Sequence, residues 1–329
     1  MQWMEKKAMA TQSKLDEDLI FPLPFGFLVY CFWKYIISIF LAKKRNNSNF
    51  NQESSHLKLQ NSSEKLSSIL PLLPTKVIGH RGSRATDPEN SMQGFQVAMD
   101  TSDGLELDTQ TCKSGELIVL HDSSVDRTSS GKGLVANFTI RELDSIHLEN
   151  GEKIPRLKEV LENFADKTLI NIEIKKEISE ELTKASALAV VELIKDLNLD
   201  LEKILVSSFS PLALYYVRKF QASIPRAQLI SDRRTSKVSG WKGSLLGSKF
   251  FAIALRADAI VWEKSFLLDN PKLISKLKSQ GFLLYTYTSN EEVEWRFFLE
   301  YKLDGIITDY PAKAKRFVQD FSLSSKNLK

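Results

Sequence analysis

Hydrophobic and polar positions follow two different patterns on the two sides of residue 75. Residues 19–42 read LIFPLPFGFLVYCFWKYIISIFLA, an apolar run of twenty-four residues with a single charge, at Lys34. Because the hydrocarbon core of a bilayer needs about 20 apolar residues in a helix, this run predicts a transmembrane or membrane-anchor helix. From Lys76 onward, short β-branched runs alternate with amphipathic stretches, which is typical of a parallel sheet with crossover helices.

Nine segments of the second region have the composition of strands. They are 76–80, 104–110, 117–121, 168–175, 203–208, 226–231, 257–262, 282–287 and 304–308. Amphipathic stretches lie between most of them. In one such stretch, 180–197, apolar residues keep helical spacing at Leu182, Ala185, Ala189, Leu193 and Leu197. The pattern therefore predicts an α/β fold of alternating strands and helices.

One strand is surplus to a barrel of eight. Only six residues separate the second and third segments, and a parallel crossover needs about a dozen or more. These two segments are therefore expected to form an antiparallel hairpin that turns at Ser114-Gly115, and a two-residue turn would place Asp108 opposite His121. The other eight strands predict a (β/α)₈ TIM barrel with this short hairpin inserted after its second strand. The alternative is an open doubly wound sheet, but no Gly-rich dinucleotide turn follows the first strand.

The remaining segments complete the predicted domain organisation. Residues 1–18 form an N-terminal tail, 19–42 the membrane helix, 43–75 a polar linker rich in Asn, Ser and Gln, 76–321 the barrel, and 322–329 a C-terminal tail. Lys43, Lys44 and Arg45 directly follow the apolar run. Basic residues at this position favour a single-pass membrane protein whose barrel faces the cytosol.

Composition and charge exclude several classes of protein. With 43% hydrophobic and 26% charged residues the composition is that of a globular protein, which excludes disorder and coiled coil. Two cysteines, Cys31 and Cys112, are too few for a disulfide framework. Residues 1–75 hold nine Lys/Arg against six Asp/Glu, so most of the net charge of +4 lies there and the predicted barrel is nearly neutral. No basic surface for nucleic acid is expected, and no obligate protein partner is evident.

Charged and imidazole side chains cluster where the first strands of the predicted barrel end. The set is His80, Arg81, Glu106, Asp108, His121, Glu173 and Lys175. The active site of a (β/α)₈ barrel lies at the carboxyl ends of its strands, so these side chains should converge. Three carboxylates repel one another unless a cation neutralises them, and all-oxygen ligation suits Mg²⁺ or Ca²⁺. Two histidines can act as general acid and base, and Arg81 and Lys175 suit anionic phosphate oxygens. This combination indicates metal-dependent phosphodiester cleavage.

Six stretches of the sequence resemble the glycerophosphodiester phosphodiesterase family. They are HRGSRATDPENS (80–91), ELDTQ (106–110), LHDSSVDRTSSGKG (120–133), NIEIK (171–175), SSF (207–209) and DGIITDYP (304–311). The resemblance runs from about Lys76 to Phe321. It implies a (β/α)₈ barrel, a divalent ion, and hydrolysis of glycerol phosphodiesters to sn-glycerol 3-phosphate and an alcohol.

The resemblance also implies a role for each matching residue. His80 and His121 correspond to the catalytic acid/base pair, and Glu106, Asp108 and Glu173 to the metal ligands. Arg81 and Lys175 correspond to phosphate contacts. Glu89 and Asn90 also match a family motif and are expected to shape the substrate pocket, with or without a contact to the metal or a histidine.

The sequence departs from the family pattern at two places. Where the family has Trp-Thr-Val-Asn at the end of its seventh strand, this sequence reads Tyr285-Thr286-Tyr287-Thr288, so an aromatic substrate contact is retained at Tyr285 and the Asn is absent. The stretch 232–256 is longer than a usual barrel loop. It is expected to be either an apolar lid that includes Trp241 and Leu245, or a core helix that contains Phe250, Phe251 and Leu255.

Several activities remain open for such a site. A membrane-associated lysophospholipase D would use the same strand motifs, and the apolar segments favour it. A lyase that releases a cyclic phosphate is a second alternative, and a non-catalytic barrel that binds lipid head groups is a third. The intact set of two histidines and three carboxylates argues against the non-catalytic barrel.

Overall fold

The computed structural model describes residues 75–177, 179–231 and 249–326. The predicted N-terminal tail and membrane helix, and nearly all of the polar linker, lie outside the described residues, and so do Trp241 and Leu245. Within the described ranges, no helix combines the length and the apolar character needed to cross a bilayer.

Nine strands form one sheet, and eight of them are parallel and close into a barrel. The strands are β1 (Lys76–Gly79), β2 (Gly104–Thr111), β3 (Leu117–Val119), β4 (Leu169–Ile174), β5 (Ile204–Ser208), β6 (Arg226–Ile230), β7 (Ala259–Glu263), β8 (Leu283–Tyr287) and β9 (Gly305–Thr308). β1 pairs in parallel with both β2 and β9, and β4 to β9 follow β2 in chain order. The predicted TIM barrel is therefore confirmed.

Helices connect the strands around the outside of the barrel. They are α1 (Met92–Thr101), α2 (Ile140–Leu143), α3 (Leu157–Phe164), α4 (Glu180–Asp196), α5 (Pro211–Phe220), α6 (Phe250–Ala254), α7 (Lys264–Asp269), α8 (Pro271–Lys278), α9 (Glu292–Glu300) and α10 (Pro311–Lys326). Short 3₁₀ turns occur at Val135–Asn137 and Leu201–Lys203. Several helices begin at hydrogen-bonding caps, as at Ser179, whose side chain accepts from the backbone N–H of Leu182.

β3 runs antiparallel to β2, but its register differs from the predicted one. Leu120 donates its backbone N–H to the carbonyl of Asp108, so Leu120 rather than His121 lies opposite Asp108. The reason is the length of the loop. The N–H of Cys112 bonds the carbonyl of Glu116, which leaves three residues in the turn, with Gly115 at φ 97°. Glycine adopts this conformation without steric cost, so a three-residue loop is accessible.

The helix predicted at 180–197 is α4, but its most buried face is not the predicted row. The fully buried residues are Thr183, Ser186, Ala187, Val190, Val191 and Ile194. Ala189, Leu193 and Leu197, from the predicted row, are only partly buried at the edge of the same cluster. α4 contacts both the sheet and α5, so its apolar surface is wider than a single row.

The barrel interior is apolar on one side and charged on the other. Its apolar cluster consists of Ile78, Leu205, Ala227, Leu229, Ala259, Val261, Tyr285 and Ile307. On β2 the apolar Leu105 and Leu107 pack outward under the helices, so the alternating Glu106 and Asp108 face inward. The charged side of the interior therefore includes the inward face of β2.

The described end of the stretch 232–256 is part of the core. Phe251 and Leu255 are buried and pack with Leu214 of α5. For these two residues the helix alternative is therefore correct, and they are not available as lid residues.

Candidate active site at the carboxyl ends of the strands

Three carboxylates from two strands meet in the charged half of the barrel. Asp108 of β2 is the register partner of Glu173 of β4, and Glu106 lies on the same inward face of β2. One oxygen from each of the three lies within 4.8 Å of the others, and all three side chains are buried. Two oxygens in a Ca²⁺ shell with bonds of about 2.3–2.6 Å can be separated by about 5 Å, so this spacing fits a single hard divalent ion.

Electrostatic repulsion within this cluster is incompletely neutralised. Burial raises the pKa of Glu106 well above its usual range, and the charges of Asp108 and Glu173 raise it further. Burial and the charge of Asp108 raise the pKa of Glu173 to about 7, although Lys175 opposes this shift. A divalent cation would remove both the desolvation cost and the repulsion, so the donor set fits such an ion.

Two cationic side chains border the carboxylates. Nζ of Lys175 lies 2.8 Å from Glu173 and 3.2 Å from Asp108. Nε of Arg81 lies 3.2 Å from Asp108, and the backbone N–H of Arg81 donates to Glu106 at 2.9 Å. Burial would raise the pKa of Asp108, but the charges of Lys175 and Arg81 lower it overall. The two predicted phosphate contacts are therefore at the rim, next to the carboxylates.

Asn90 fixes the orientation of Asp108. Its amide nitrogen donates to the Asp108 carboxylate at 3.0 Å, and its amide oxygen accepts from the Asp108 backbone N–H at 3.3 Å. Asn90 is fully buried and has a φ of 57°, a conformation that Asn tolerates better than most residues. The structure thus places Asn90 beside Asp108.

The histidine at the end of β1 is held by a buried carboxylate. Nδ1 of His80 lies 2.7 Å from Oδ1 of Asp309, which follows β9. Asn290 holds this carboxylate in turn, since its amide nitrogen donates to Asp309 at 2.8 Å and its amide oxygen accepts from the Asp309 backbone N–H at 2.9 Å. With Nδ1 occupied, Nε2 of His80 is the nitrogen left for chemistry.

The second histidine has a similar but more exposed arrangement. Nδ1 of His121 lies 2.7 Å from Oδ1 of Asp122, and Nε of Arg127 donates to the other oxygen of Asp122 at 2.6 Å. The side chain of His121 is 33% exposed, whereas that of His80 is 13% exposed. Burial lowers the pKa of His121, and Lys175 and Arg81 lower it further against the opposing charge of Asp108. Both histidines therefore use Nδ1 for a carboxylate and leave Nε2 free for proton transfer.

Comparison with known proteins is decisive for the family. Residues 80–313 match the model of the Glycerophosphoryl diester phosphodiesterase family. The chain belongs to this family. It is 34% identical over 254 residues to a glycerophosphodiester phosphodiesterase of Caldanaerobacter subterraneus subsp. tengcongensis, a match that covers 73% of this chain and 96% of the relative. The resemblance found in the sequence is confirmed, and with it the class of enzyme, a phosphoric diester hydrolase.

The chain is also similar to a second named relative and to a solved structure. A lysophospholipase D of Mus musculus is 27% identical over 280 residues, covering 74% of this chain and 86% of the mouse protein. The structure of an Oleispira antarctica phosphodiesterase in complex with sn-glycerol-3-phosphate has a TM-score of 0.63 at 24% identity, covering 75% of this chain and 97% of that one. The second similarity concerns the fold.

Glu89, which the phosphodiesterase motif HRGSRATDPENS contains, is enclosed by arginines. Its carboxylate accepts from Arg81 at 2.9 Å, from Arg84 at 3.0 Å and from Arg127 at 2.6 and 2.9 Å. Burial opposes ionisation, but the hydrogen bond of Arg127, the charge of Arg81 and the hydrogen bond of Arg84 hold the pKa of Glu89 far below its usual range. The structure therefore places Glu89 at the centre of an ion-pair cluster, where its oxygens are already occupied.

Tyr285 and Tyr287 occupy different levels of the phosphodiesterase barrel. Tyr285 lies inside the barrel, where its ring covers Gly305 so closely that a Cβ there would clash at 2.2 Å. Tyr287 lies two residues nearer the carboxyl end of β8, packs edge-on against Phe209, and donates its hydroxyl to the carbonyl of Ile230. The aromatic ring at the rim is thus that of Tyr287.

Sequence reasoning missed the residues that support the histidines and Glu89. They are Arg84, Asp122, Arg127, Asn290 and Asp309. Arg84, Asp122, Arg127 and Asp309 stand inside the motifs used to recognise the family, so the signal was present. Asn290 stands three residues after Tyr287, and in the family run Trp-Thr-Val-Asn the Asn likewise stands three residues after the Trp. Tyr287 and Asn290 therefore match the Trp and the Asn. The match based on Tyr285 was two positions too early.

Proposed function

We propose that this chain hydrolyses glycerophosphodiesters to sn-glycerol 3-phosphate and an alcohol, with a divalent ion and a His80/His121 acid-base pair. The observation that carries the proposal is the common arrangement of the two histidines, each bonded through Nδ1 to a carboxylate at the rim where Glu106, Asp108 and Glu173 meet. The name of the Caldanaerobacter relative supports the same substrate class.

The three carboxylates are the proposed ligands of the ion. Mg²⁺ or Ca²⁺ bound by Glu106, Asp108 and Glu173 would supply positive charge to the phosphoryl oxygens as their negative charge develops. Arg81 and Lys175 border this position and would bind the remaining phosphate oxygens.

The histidines are proposed to move the protons. One Nε2 accepts a proton from the attacking water as the new P–O bond forms, and the other donates a proton to the alcohol oxygen as its bond to phosphorus breaks. Asp309 and Asp122 hold the two rings in the tautomer that leaves Nε2 available, and each stabilises the charge on its histidine when the ring is protonated.

The direct test is turnover of glycerophosphocholine in Mg²⁺ or Ca²⁺, with product analysis by phosphorus NMR. His80→Ala and His121→Ala should each lower kcat by at least ~10²-fold, the usual scale for loss of a general acid or base. EDTA should abolish activity, and the divalent ion should restore it. Near-normal activity of a histidine variant would remove that residue from the mechanism, full activity in chelator would remove the metal, and a cyclic phosphate product would identify a lyase.

A second candidate is lysophospholipase D activity, with lysophospholipids as substrates. It is favoured by the similarity to the mouse lysophospholipase D and by the apolar run 19–42, which we propose to be a single-pass anchor with the barrel on the cytosolic side. Turnover of lysophosphatidylcholine and glycerophosphocholine should be compared in parallel. A Trp241→Ser/Leu245→Ser variant that loses only the lysolipid activity would support this candidate, and equal losses on both substrates would contradict it.

The proposed anchor is tested separately by fractionation. The full chain should remain with membranes after carbonate extraction, whereas a variant that lacks residues 1–45 should be released. Release of both forms would contradict the anchor without affecting the proposed chemistry.

A further inference from the structure

A row of alternating charges connects the carboxylates that hold the two histidines. Its members in order are Asp309, Arg84, Glu89, Arg127 and Asp122. Arg84 donates to Asp309 at 3.4 Å and to Glu89 at 3.0 Å. Arg127 donates to Glu89 through both terminal nitrogens, at 2.6 and 2.9 Å, and to Asp122 through Nε at 2.6 Å. His80 and His121 lie at the two ends of this row.

We propose that Arg84, Glu89 and Arg127 are positioning residues that hold the His80 and His121 rings in a fixed relation to each other. We call these three residues the bridge. The inference rests on the proposed function, because a fixed relation matters only if both rings act on one phosphodiester. The bridge acts on the two rings through Asp122 and Asp309. Glu89 also accepts a hydrogen bond from Arg81 at 2.9 Å, so the bridge borders the proposed phosphate contact.

The bridge connects three separate segments of the rim. Arg84 and Glu89 belong to the segment after β1, Arg127 to the segment after β3, and Asp309 to the segment after β9. None of these segments is fixed by strand pairing where its functional residue lies. A backbone hydrogen bond from Ala85 to the carbonyl of Asp309, at 3.1 Å, also joins the segments after β1 and β9. The ion pair of Arg127 with Glu89 joins the segment after β3 to the segment after β1.

The chemistry of the bridge suits precise alignment. Arginine presents planar donors in a rigid fork, so a pair with two bonds to one carboxylate fixes direction as well as distance. Glu89 at the centre is buried, with a side-chain exposure of 7%, so solvent screens its bonds little. Burial of the central carboxylate gives the two exposed arginines, Arg84 and Arg127, a common rigid attachment.

Alignment of the two rings should have a large effect on the reaction rate. A displacement of about 1 Å in a reacting group can cost roughly 10²-fold in rate. His121 lies in an irregular segment and is one-third exposed, so its direction depends on Asp122 and, through Asp122, on Arg127. His80 has the additional support of Asn290 on Asp309, so it should depend less on Arg84.

The test uses Arg127→Met, Arg84→Met and the double variant of the full chain, with Arg156→Met as the matched control. Arg156 is 46% exposed, like Arg127, and also bonds a carboxylate twice, since its Nη2 donates to both oxygens of Asp144 at 2.7 and 2.8 Å. Its partner Asp144 is not one of the two carboxylates that bond the histidines. Arg156→Met therefore measures the effect on kcat of losing any half-exposed arginine–carboxylate pair.

Steady-state kinetics on glycerophosphocholine should show a loss in kcat with little change in KM. We expect kcat to fall about 10-fold or more in Arg127→Met and about 5-fold in Arg84→Met, because misaligned rings slow proton transfer but leave ground-state binding intact. The double variant should be within about 2-fold of Arg127→Met, because both arginines act through Glu89. Arg156→Met should keep wild-type kcat. Multiplied losses in the double variant, or an equal loss in the control, would overturn the bridge.

A second measurement does not depend on activity. The chain has four histidines, so the imidazole nitrogens can be resolved by ¹⁵N NMR of labelled protein. Wild type should carry the His80 and His121 protons on Nδ1, and Arg127→Met should change the signals of both rings, although it contacts only the His121 side. A change confined to His121 would reject the bridge. If wild type turned over no glycerophosphodiester, the proposed function would fail, and the NMR result would still decide the bridge.

Discussion

Glu89 and Glu106 are both buried, with exposures of 8% and 4%, yet their surroundings have opposite effects on charge. Three arginines bond Glu89 and hold its pKa far below the usual range. Glu106 receives a backbone N–H but faces Asp108 and Glu173, and burial together with these two charges raises its pKa well above the usual range. Burial is shared, so the neighbours decide the outcome.

This difference in surroundings indicates different roles for Glu89 and Glu106. Glu89 is fully compensated by the protein and can fix the surrounding segments without any added ion. Glu106 is under-compensated, and that deficit is what an added divalent cation would supply. We therefore expect Glu89 to hold the surrounding segments and Glu106 to be a ligand of the proposed ion.

The largest expected effect of this contrast is on activity. Glu106→Gln should lower kcat/KM by about 10³-fold in saturating divalent ion, since it removes a charged ligand. Glu89→Gln should lower it by about 10–100-fold, the scale of losing support behind a functional group. Initial rates on glycerophosphocholine across an ion titration provide the measurement. Equal losses in the two variants would show that the carboxylates do not differ in role.

The next effect is the stabilisation of the folded state by the ion. At an ion concentration of about 100 times Kd, the free energy of unfolding of the wild-type chain should increase by about 2.7 kcal/mol. Glu89→Gln should retain this increase, because its pocket is not the ion site, and Glu106→Gln should lose most of it. Denaturant unfolding with and without Ca²⁺ checks this, and an increase that persists in Glu106→Gln would place the ion elsewhere.

The smallest effect is the change in stability in chelator at pH 7. Glu89→Gln should lower the free energy of unfolding by about 2 kcal/mol, because the buried guanidinium of Arg81 and the two half-exposed arginines lose a charged partner. Glu106→Gln should raise it by about 1 kcal/mol, because it removes uncompensated charge. Opposite signs are the essential outcome. Loss of stability in both variants would indicate that Glu106 has a partner it depends on.

In chelator, the carboxylates of the proposed ion site and Glu89 should have opposite effects on how stability depends on pH. A raised folded pKa means that stability falls as the pH rises from the ordinary value of 4.5 through the folded value, which for Glu173 is about 7. The lowered pKa of Glu89 means that its contribution is present above pH 4.5 and is lost as the pH falls below that value. Unfolding curves between pH 3 and 7.5 should show a maximum, and Glu106→Gln should flatten its neutral side. A neutral side that is unchanged in Glu106→Gln would contradict this.

The barrel can be predicted from the sequence because each strand is marked by a short local run of residues. All nine predicted strands are present, since β-branched runs identify strands wherever they are buried. The alternation of Glu106 and Asp108, and the strand-end rule, predict the convergence of the three carboxylates. The position of His121 opposite Asp108 was wrong by one residue, because a turn with Gly115 accommodates either two or three residues in its loop.

The histidine supports could not be derived in the same way, because they depend on the conformation of irregular segments. The pairing of His80 with Asp309 joins residues 229 positions apart. Glu89 meets its three arginines in a segment where Arg81 and Asn90 both adopt positive φ values. No periodicity encodes such conformations. The choice between Tyr285 and Tyr287 is ambiguous for a related reason, since two aromatic residues separated by one position at a strand end match the family run equally well.

The pairing of His80 with Asp309 also has a consequence for biosynthesis. The carboxylates on β2 and β4 leave the ribosome more than a hundred residues before Asp309, so at about 5–20 residues per second they are available several seconds earlier. A nascent or prematurely terminated chain that ends before β9 would carry the three carboxylates proposed to bind the ion but would lack Asp309, the carboxylate bonded to His80. In the proposed mechanism, the ligands of the ion are therefore synthesised first, and the acid-base pair is complete only when the last strand has been made.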